Sequence, residues 1–188
     1  GKAQPEGGTG AGTFISPEAE IAPTVSVGCG CTIDGEVHIG DHTVIGHNVV
    51  ITGRVRIGTG CVIQSGVVIG IDGFGYSRDA RTGEKRMIPH FGGVFIGDGV
   101  FIGSHVNIAK GTLDDTIIGS GTKIAPSTHI GHNTVLGENT TVICSDLFGS
   151  VRTGPEAYIV ASTVKNQSEI GGHTVIGMGS VVTGTVPN

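Results

Sequence analysis

The chain has 188 residues, a formal charge of −5, and 37% hydrophobic against 14% charged residues. No dense run of Lys and Arg and no basic stripe with interleaved aromatics is present, which argues against nucleic acid as the main partner; Arg78, Arg81, Lys85 and Arg86 form a local basic patch. No apolar stretch approaches the ~20 residues that span a bilayer, and no signal-peptide core is visible, so no transmembrane segment and a cytoplasmic location are expected.

Residues 1–14 read as a flexible N-terminal segment. From Ile15 an aliphatic residue recurs at every sixth position: Ile15, Ile21, Val27, Ile33, Ile39, Ile45, Ile51, Ile57, Ile63 and Ile69. The ladder resumes at Ile96, Ile102 and Ile108, then at Ile118, Ile124, Ile130, Leu136, Val142 and Phe148, and closes with Tyr158, Val164, Ile170, Ile176 and Val182. Neither an amphipathic helix nor an alternating strand has this period. It predicts an all-β fold over 15–188, a hexapeptide-repeat parallel β-helix with three short strands per coil. The 24 rungs make about eight coils. Gly follows many rungs, as at Gly46, Gly58, Gly103 and Gly131, and is expected to supply a permissive backbone for tight corners. Thr116, Thr122, Thr128, Thr134 and Thr140 run two residues ahead of the rungs, as β-branched residues suit strands.

Cys29, Cys31, Cys61 and Cys144 do not repeat at coil spacing, so a Cys₄ zinc site is not expected and the thiols read as free and mostly buried. Function is expected where the ladder is interrupted, because loops on a rigid frame are favoured binding elements. An inserted loop at 71–95 carries Phe74, Tyr76, Phe91 and most of the basic patch. Longer intervals also separate Ile108 from Ile118, through AKGTLDDTI, and Phe148 from Tyr158, through GSVRTGPEA.

IDGFGY at 71–76, MIPHFGGVFIGDGVFIG at 87–103, GTLDDTIIGSGTKI at 111–124 and HIGHNTVLGENT at 129–140 together resemble the UDP-3-O-acylglucosamine N-acyltransferases of lipid A synthesis. The resemblance implies a left-handed β-helix, a homotrimer, and acyl transfer from a thioester carrier to the amino group of a nucleotide-linked sugar. It implies that His132, in Ile130-Gly131-His132-Asn133, is the general base, and that Ser150, one coil later, offers a backbone N–H to the oxyanion. Phe74, Tyr76, Lys110, Asp114, Asp115, His129 and Asn133 are the expected substrate-binding residues. Two positions depart from that family's usual pattern: Ala125 replaces an acidic residue, and Ala109-Lys110 replaces Asp-Arg. The segment 170–188 resembles the closing coils of CoA-dependent sugar acetyltransferases, which implies donor binding at Gly177, Met178, Gly179 and Ser180. Acyl-CoA or acyl-carrier protein is the expected co-substrate, with no bound cofactor and no metal.

An imidazole base suits the chemistry, because a protonated amine cannot attack a thioester and histidine accepts a proton near neutral pH. Ile45-Gly46-His47-Asn48 repeats the tetrapeptide around His132, so spacing alone leaves His47 as a second candidate. Three alternatives stand beside N-acyl transfer: O-acetyl transfer to a sugar or glycan, a zinc-dependent carbonic-anhydrase-like protein using His42 and His47, and a non-catalytic structural or ice-binding solenoid.

Overall fold

The structure, a computed structural model, describes residues 7–188. Its strands stack into three parallel nine-stranded sheets, which are the three faces of a left-handed β-helix. The chain visits the first, second and third faces in turn, as in Ser26–Val27, Thr32–Asp34 and Val37–Ile39, before returning one coil higher to Val44–Ile45. Nine strands per face exceed the expected eight coils. Gly8–Thr9 already pairs with Ser26–Val27, so the solenoid begins within the segment expected to be a flexible leader; residues 1–6 of that segment lie outside the described residues.

Two inward positions per hexapeptide fill the axis. Rung residues such as Ile33, Ile51, Ile69, Ile108 and Ile130 are fully buried, each contributing roughly 1.5–3 kcal/mol of transfer free energy. The residue two places earlier is buried as well. It is mostly Val or Cys in the lower coils, as at Val37, Val49, Cys61 and Val106 but not Thr43, and mostly Thr or Ser higher up, with Val151 and Ala157 between them. The threonine column therefore faces inward, and its hydroxyls are satisfied there, most of them by a neighbouring coil. Thr43 Oγ1 donates to Gly58 O (2.9 Å) and accepts from Cys61 N–H (3.1 Å), while Thr122 Oγ1 donates to Gly137 O (3.2 Å). A hidden, satisfied column is no ice-binding face. Of the thiols, Cys31 and Cys61 are buried and Cys29 and Cys144 exposed, so half rather than most are inside; burial pushes the Cys61 thiol up.

Most of the glycines that follow a rung have a steric purpose, not the conformational one expected; Gly70, at φ 88°, keeps the conformational one. A Cβ at Gly119 would stand 2.6 Å from Glu138 N and 2.7 Å from Gly137 C in the next coil. Left-handed backbone falls two residues later, where His42, Asn48, His105, Asn133, Asn139 and His173 have φ of 54–59°. Asn and His tolerate that region better than most side chains.

The third interruption is not an insertion. Leu147 and Ile159 point inward, whereas Phe148 and Tyr158, expected as rungs, are 47% and 42% exposed. Thr153 supplies the rung between them. Two corners between the first and second faces are each one residue short, marked by φ of 44° at Cys144 and 40° at Ala161. The other two interruptions are genuine, and both leave from the corner between the second and third faces. The longer one runs between Val68–Ile71 and Val94–Ile96 and includes an antiparallel hairpin, Tyr76–Arg78 with Lys85–Met87.

Gly119→Ala is expected to cost about 1–3 kcal/mol, since rigid backbone opposes the new methyl. Gly99→Asn, at φ 62° with open space around the Cβ position, is expected to cost under about 1 kcal/mol. Urea denaturation midpoints of the two variants check the contrast.

Candidate active site

The corner between the second and third faces carries a vertical succession of irregular features. From the bottom these are Gly53 and Arg54, the long excursion, the bulge at 110–115, His132 with Asn133, Gly149 with Ser150, and Asn166. The two insertions are tied together. Phe91 N–H donates to Thr112 O (2.7 Å) and Gly92 N–H to Gly111 O (3.0 Å). Asp115 receives Gly93 N–H (2.7 Å) and pairs with Arg54 (2.6 Å), and Lys110 pairs with Asp72 (2.9 Å).

A pocket of about 300 Å³ opens at this corner, lined by Gly73, Phe74, His129, His132, Phe148 and Gly149 among others. His132 is held from its Nδ1 edge. Asn133 Oδ1 lies 2.9 Å from that nitrogen, and Thr112 N–H (3.0 Å) and Thr112 Oγ1 (2.8 Å) both donate to the same oxygen. Asn133 Nδ2 donates to Asp114 O (3.2 Å), which fixes the amide orientation. An amide oxygen accepts only, so Nδ1 carries the proton, and in the neutral ring Nε2 keeps its lone pair. Nε2 faces Gly149: a Cβ there would stand 2.5 Å from it.

Gly149 takes the place that sequence spacing gave to Ser150. Ile130 pairs with Leu147, because the short corner at Cys144 removes one residue from the coil, and the residue above His132 moves down by one. Ser150 N–H is also engaged, donating to His132 O (2.7 Å). It is not a spare oxyanion donor. Gly149 N–H has no backbone or side-chain acceptor among the described residues. The signal for Gly149 lay in the rung sequence itself, where Leu147 precedes Phe148, but a strict six-residue count passes over it.

The other expected residues divide. His129, Asn133 and Phe74 surround His132, and Tyr76 continues outward from Phe74, its ring centroid 5.1 Å away. Asp115 and Lys110 are engaged in the ion pairs that fasten the insertions, and Asp114 contributes a carbonyl with its carboxylate exposed. Gly177, Met178, Gly179 and Ser180 lie on the corner between the first and second faces, not on the corner of His132. His47 sits on that same first-to-second corner, and its Nδ1 accepts Cys29 N–H (2.9 Å) from the coil below, a structural bond. His42 is on yet another corner, between the third and first faces. Among the described residues no group of three or more His, Cys, Asp or Glu could hold a metal ion. A broader depression of about 860 Å³ on the third face, beside His38, Arg56 and Phe95, is open and lies away from His132.

Comparisons with known proteins bear on this corner. The family described as bacterial transferase hexapeptide (six repeats) matches residues 36–70. A UDP-3-O-acylglucosamine N-acyltransferase of Coxiella burnetii is 46% identical over 84 residues, 44% of this chain and 24% of that protein. One from Methylorubrum extorquens is 40% identical over 117 residues, 62% of this chain and 32% of the relative. The chain resembles hexapeptide-repeat acyltransferases of the UDP-acylglucosamine type. It spans about a third or less of the length of these curated relatives. Among solved structures, LpxA of Acinetobacter baumannii superposes with a TM-score of 0.82 at 25% identity, covering 93% of this chain and 66% of that one. The UDP-N-acetylglucosamine acyltransferase of Francisella novicida gives 0.81 at 25% identity, covering 90% and 60%. No helix of the described residues is long and apolar enough to cross a membrane.

Burial first, and then the neighbouring His132, hold the His129 imidazole below its ordinary pKa, with Asp146 opposing. The fold thus favours neutral His129, so this contribution is complete above the unfolded value of about 6.5 and is lost as pH falls through the lower folded value. Between about pH 7.5 and 5.5 the urea midpoint of the parent is expected to fall further than that of His129→Gln.

Proposed function

We propose that this solenoid transfers an acyl group from a thioester carrier to the amino group of a nucleotide-linked sugar, with His132 as general base. The observation that carries the reading is the tautomer of His132: Asn133 Oδ1 holds Nδ1–H, and the unprotonated Nε2 faces the pocket beside Gly149. The substrate amine attacks the thioester carbonyl carbon while its proton passes to Nε2. In this reading Gly149 N–H, which has no acceptor among the described residues, donates to the oxyanion of the tetrahedral intermediate. Collapse of that intermediate expels the thiolate, which recovers a proton from the imidazolium.

Phe74 and Tyr76 offer aromatic faces to the acceptor's base, and His129 and Asn133 border the sugar. The donor is acyl-CoA or an acyl-carrier protein. Residues 177–180 serve the same pocket only if a neighbouring protomer brings its own first-to-second corner to His132, so this reading includes a homotrimer with two protomers contributing to each site. A cytoplasmic location belongs to the same proposal. Similarity to a UDP-N-acetylglucosamine acyltransferase favours, as the second reading, transfer to a sugar hydroxyl.

Thiol release from acyl-CoA and acyl-carrier-protein donors, measured against nucleotide-linked amino sugars and their hydroxyl analogues, tests both readings. Amine-dependent release supports N-acyl transfer, and release only with hydroxyl acceptors moves the assignment to O-acyl transfer. His132→Ala is expected to lower kcat by about 10²–10⁴-fold with little change in melting temperature. His47→Ala is expected to leave turnover near the parent value. A His132→Ala protein that retains most turnover overturns the assignment.

A further inference from the structure

His90, at the end of the long excursion, is 6% exposed, and neither of its ring nitrogens has a hydrogen-bond partner. Its ring meets that of His132 edge to face, with centroids 5.2 Å apart and planes at 76°. Gly73 sits against both rings: a Cβ there would stand 2.8 Å from His90 Nε2 and 2.8 Å from His132 Cδ2. The pocket is lined by His132 and Gly73, and His90 touches both without lining it. A leucine or phenylalanine fills such a space without burying two unpaired polar atoms. Packing alone gives no reason for an imidazole here.

We propose that His90 is a positioning residue for His132, the second jaw of a clamp whose first jaw is Asn133. The inference rests on reading His132 as the base. Asn133 Oδ1 holds the ring at Nδ1, and the Gly73–His90 side closes on it at Cδ2. A half-turn of His132 about its Cβ–Cγ bond exchanges these two edges, carrying Nδ1–H away from Asn133 and replacing Nε2 by Cε1 at the pocket. With both jaws in place that half-turn is blocked. The unpaired nitrogens of His90 also matter when His132 takes up a proton, because an imidazole with no other partner presents a polar ring to that histidine and an alkyl group does not.

The test is nitrogen NMR of ¹⁵N-histidine-labelled, substrate-free parent, His90→Ala and His90→Phe proteins, with the His132 signals assigned by their loss in His132→Ala. The parent and His90→Phe, which keeps the space filled, are expected to show His132 as a single Nδ1–H tautomer, and His90→Ala, which removes the jaw, an averaged pair of nitrogen shifts. In His90→Ala turnover is expected to fall about 10–100-fold with KM within about twofold, as for a base displaced from its working geometry. The melting temperature of His90→Phe is expected to equal or exceed the parent's, since two unpaired buried atoms are gone. Unchanged His132 nitrogen shifts in His90→Ala overturn the proposal whatever happens to turnover, and failure of both variants to fold overturns it by making His90 a core residue. If the parent shows no acyl transfer, the acyltransferase reading fails while the spectra still decide the clamp.

Discussion

Each coil rests one hydrogen-bond spacing above the last, about 4.8 Å, and little in this molecule escapes that constraint. At corners such as Gly46, Gly119 and Gly131 that spacing puts backbone of the next coil within 2.6–2.7 Å of where a Cβ would stand, and glycine there is demanded by the neighbour above. Additional residues cannot be placed inside the stack either, so the chain departs from it at corners. Both large departures use the corner between the second and third faces, and they fasten to each other through Asp115, Arg54 and Gly93. The result is a wall beside a column of otherwise regular coils, and the pocket lies where that wall meets His132.

The same spacing turns a one-residue change in length into a change of chemistry. A coil of three full hexapeptides would set Ser150 over His132. Shortening at Cys144 sets Gly149 there instead, with no Cβ between the imidazole and the pocket. Identical tetrapeptides diverge for a related reason. His47 faces Cys29 N–H in a regular stack and spends Nδ1 as an acceptor, whereas His132 lies above the bulge, whose Thr112 and Asp114 orient Asn133 to receive its Nδ1–H. Neighbouring coils set the tautomer, and the tautomer sets which nitrogen is basic.

Much of the scaffold was legible because its period is local. The rungs from Val27 to Ile69, from Ile96 to Ile108 and from Ile118 to Leu136 stand where a six-residue count puts them, and their burial follows. Counting failed where hexapeptides lost a residue: Phe148 and Tyr158 shared the expected period, yet Leu147 and Ile159 take the interior because a core position is decided by alignment with the coil below. The threonine column was visible as a pattern, but its inward direction was not, since a hydroxyl is buried only where an acceptor is within reach, and most of these acceptors lie in an adjacent coil. The candidate pocket was partly legible, through His132, His129, Asn133 and Phe74. Gly149 and His90 were missed, the first by a register slip and the second because its only marks are burial and proximity to another ring.

The sequence by itself determined a parallel solenoid with a mostly aliphatic axis, the location of its two real insertions and the tetrapeptide that bears the candidate base, because each depends on residues close together in the chain. Tertiary structure decided which face each insertion leaves from, which residue stands over His132, and which of two identical histidines meets a pocket. Those outcomes rest on contacts between residues a full coil or more apart, and a single missing residue at one corner shifts the register of everything stacked above it.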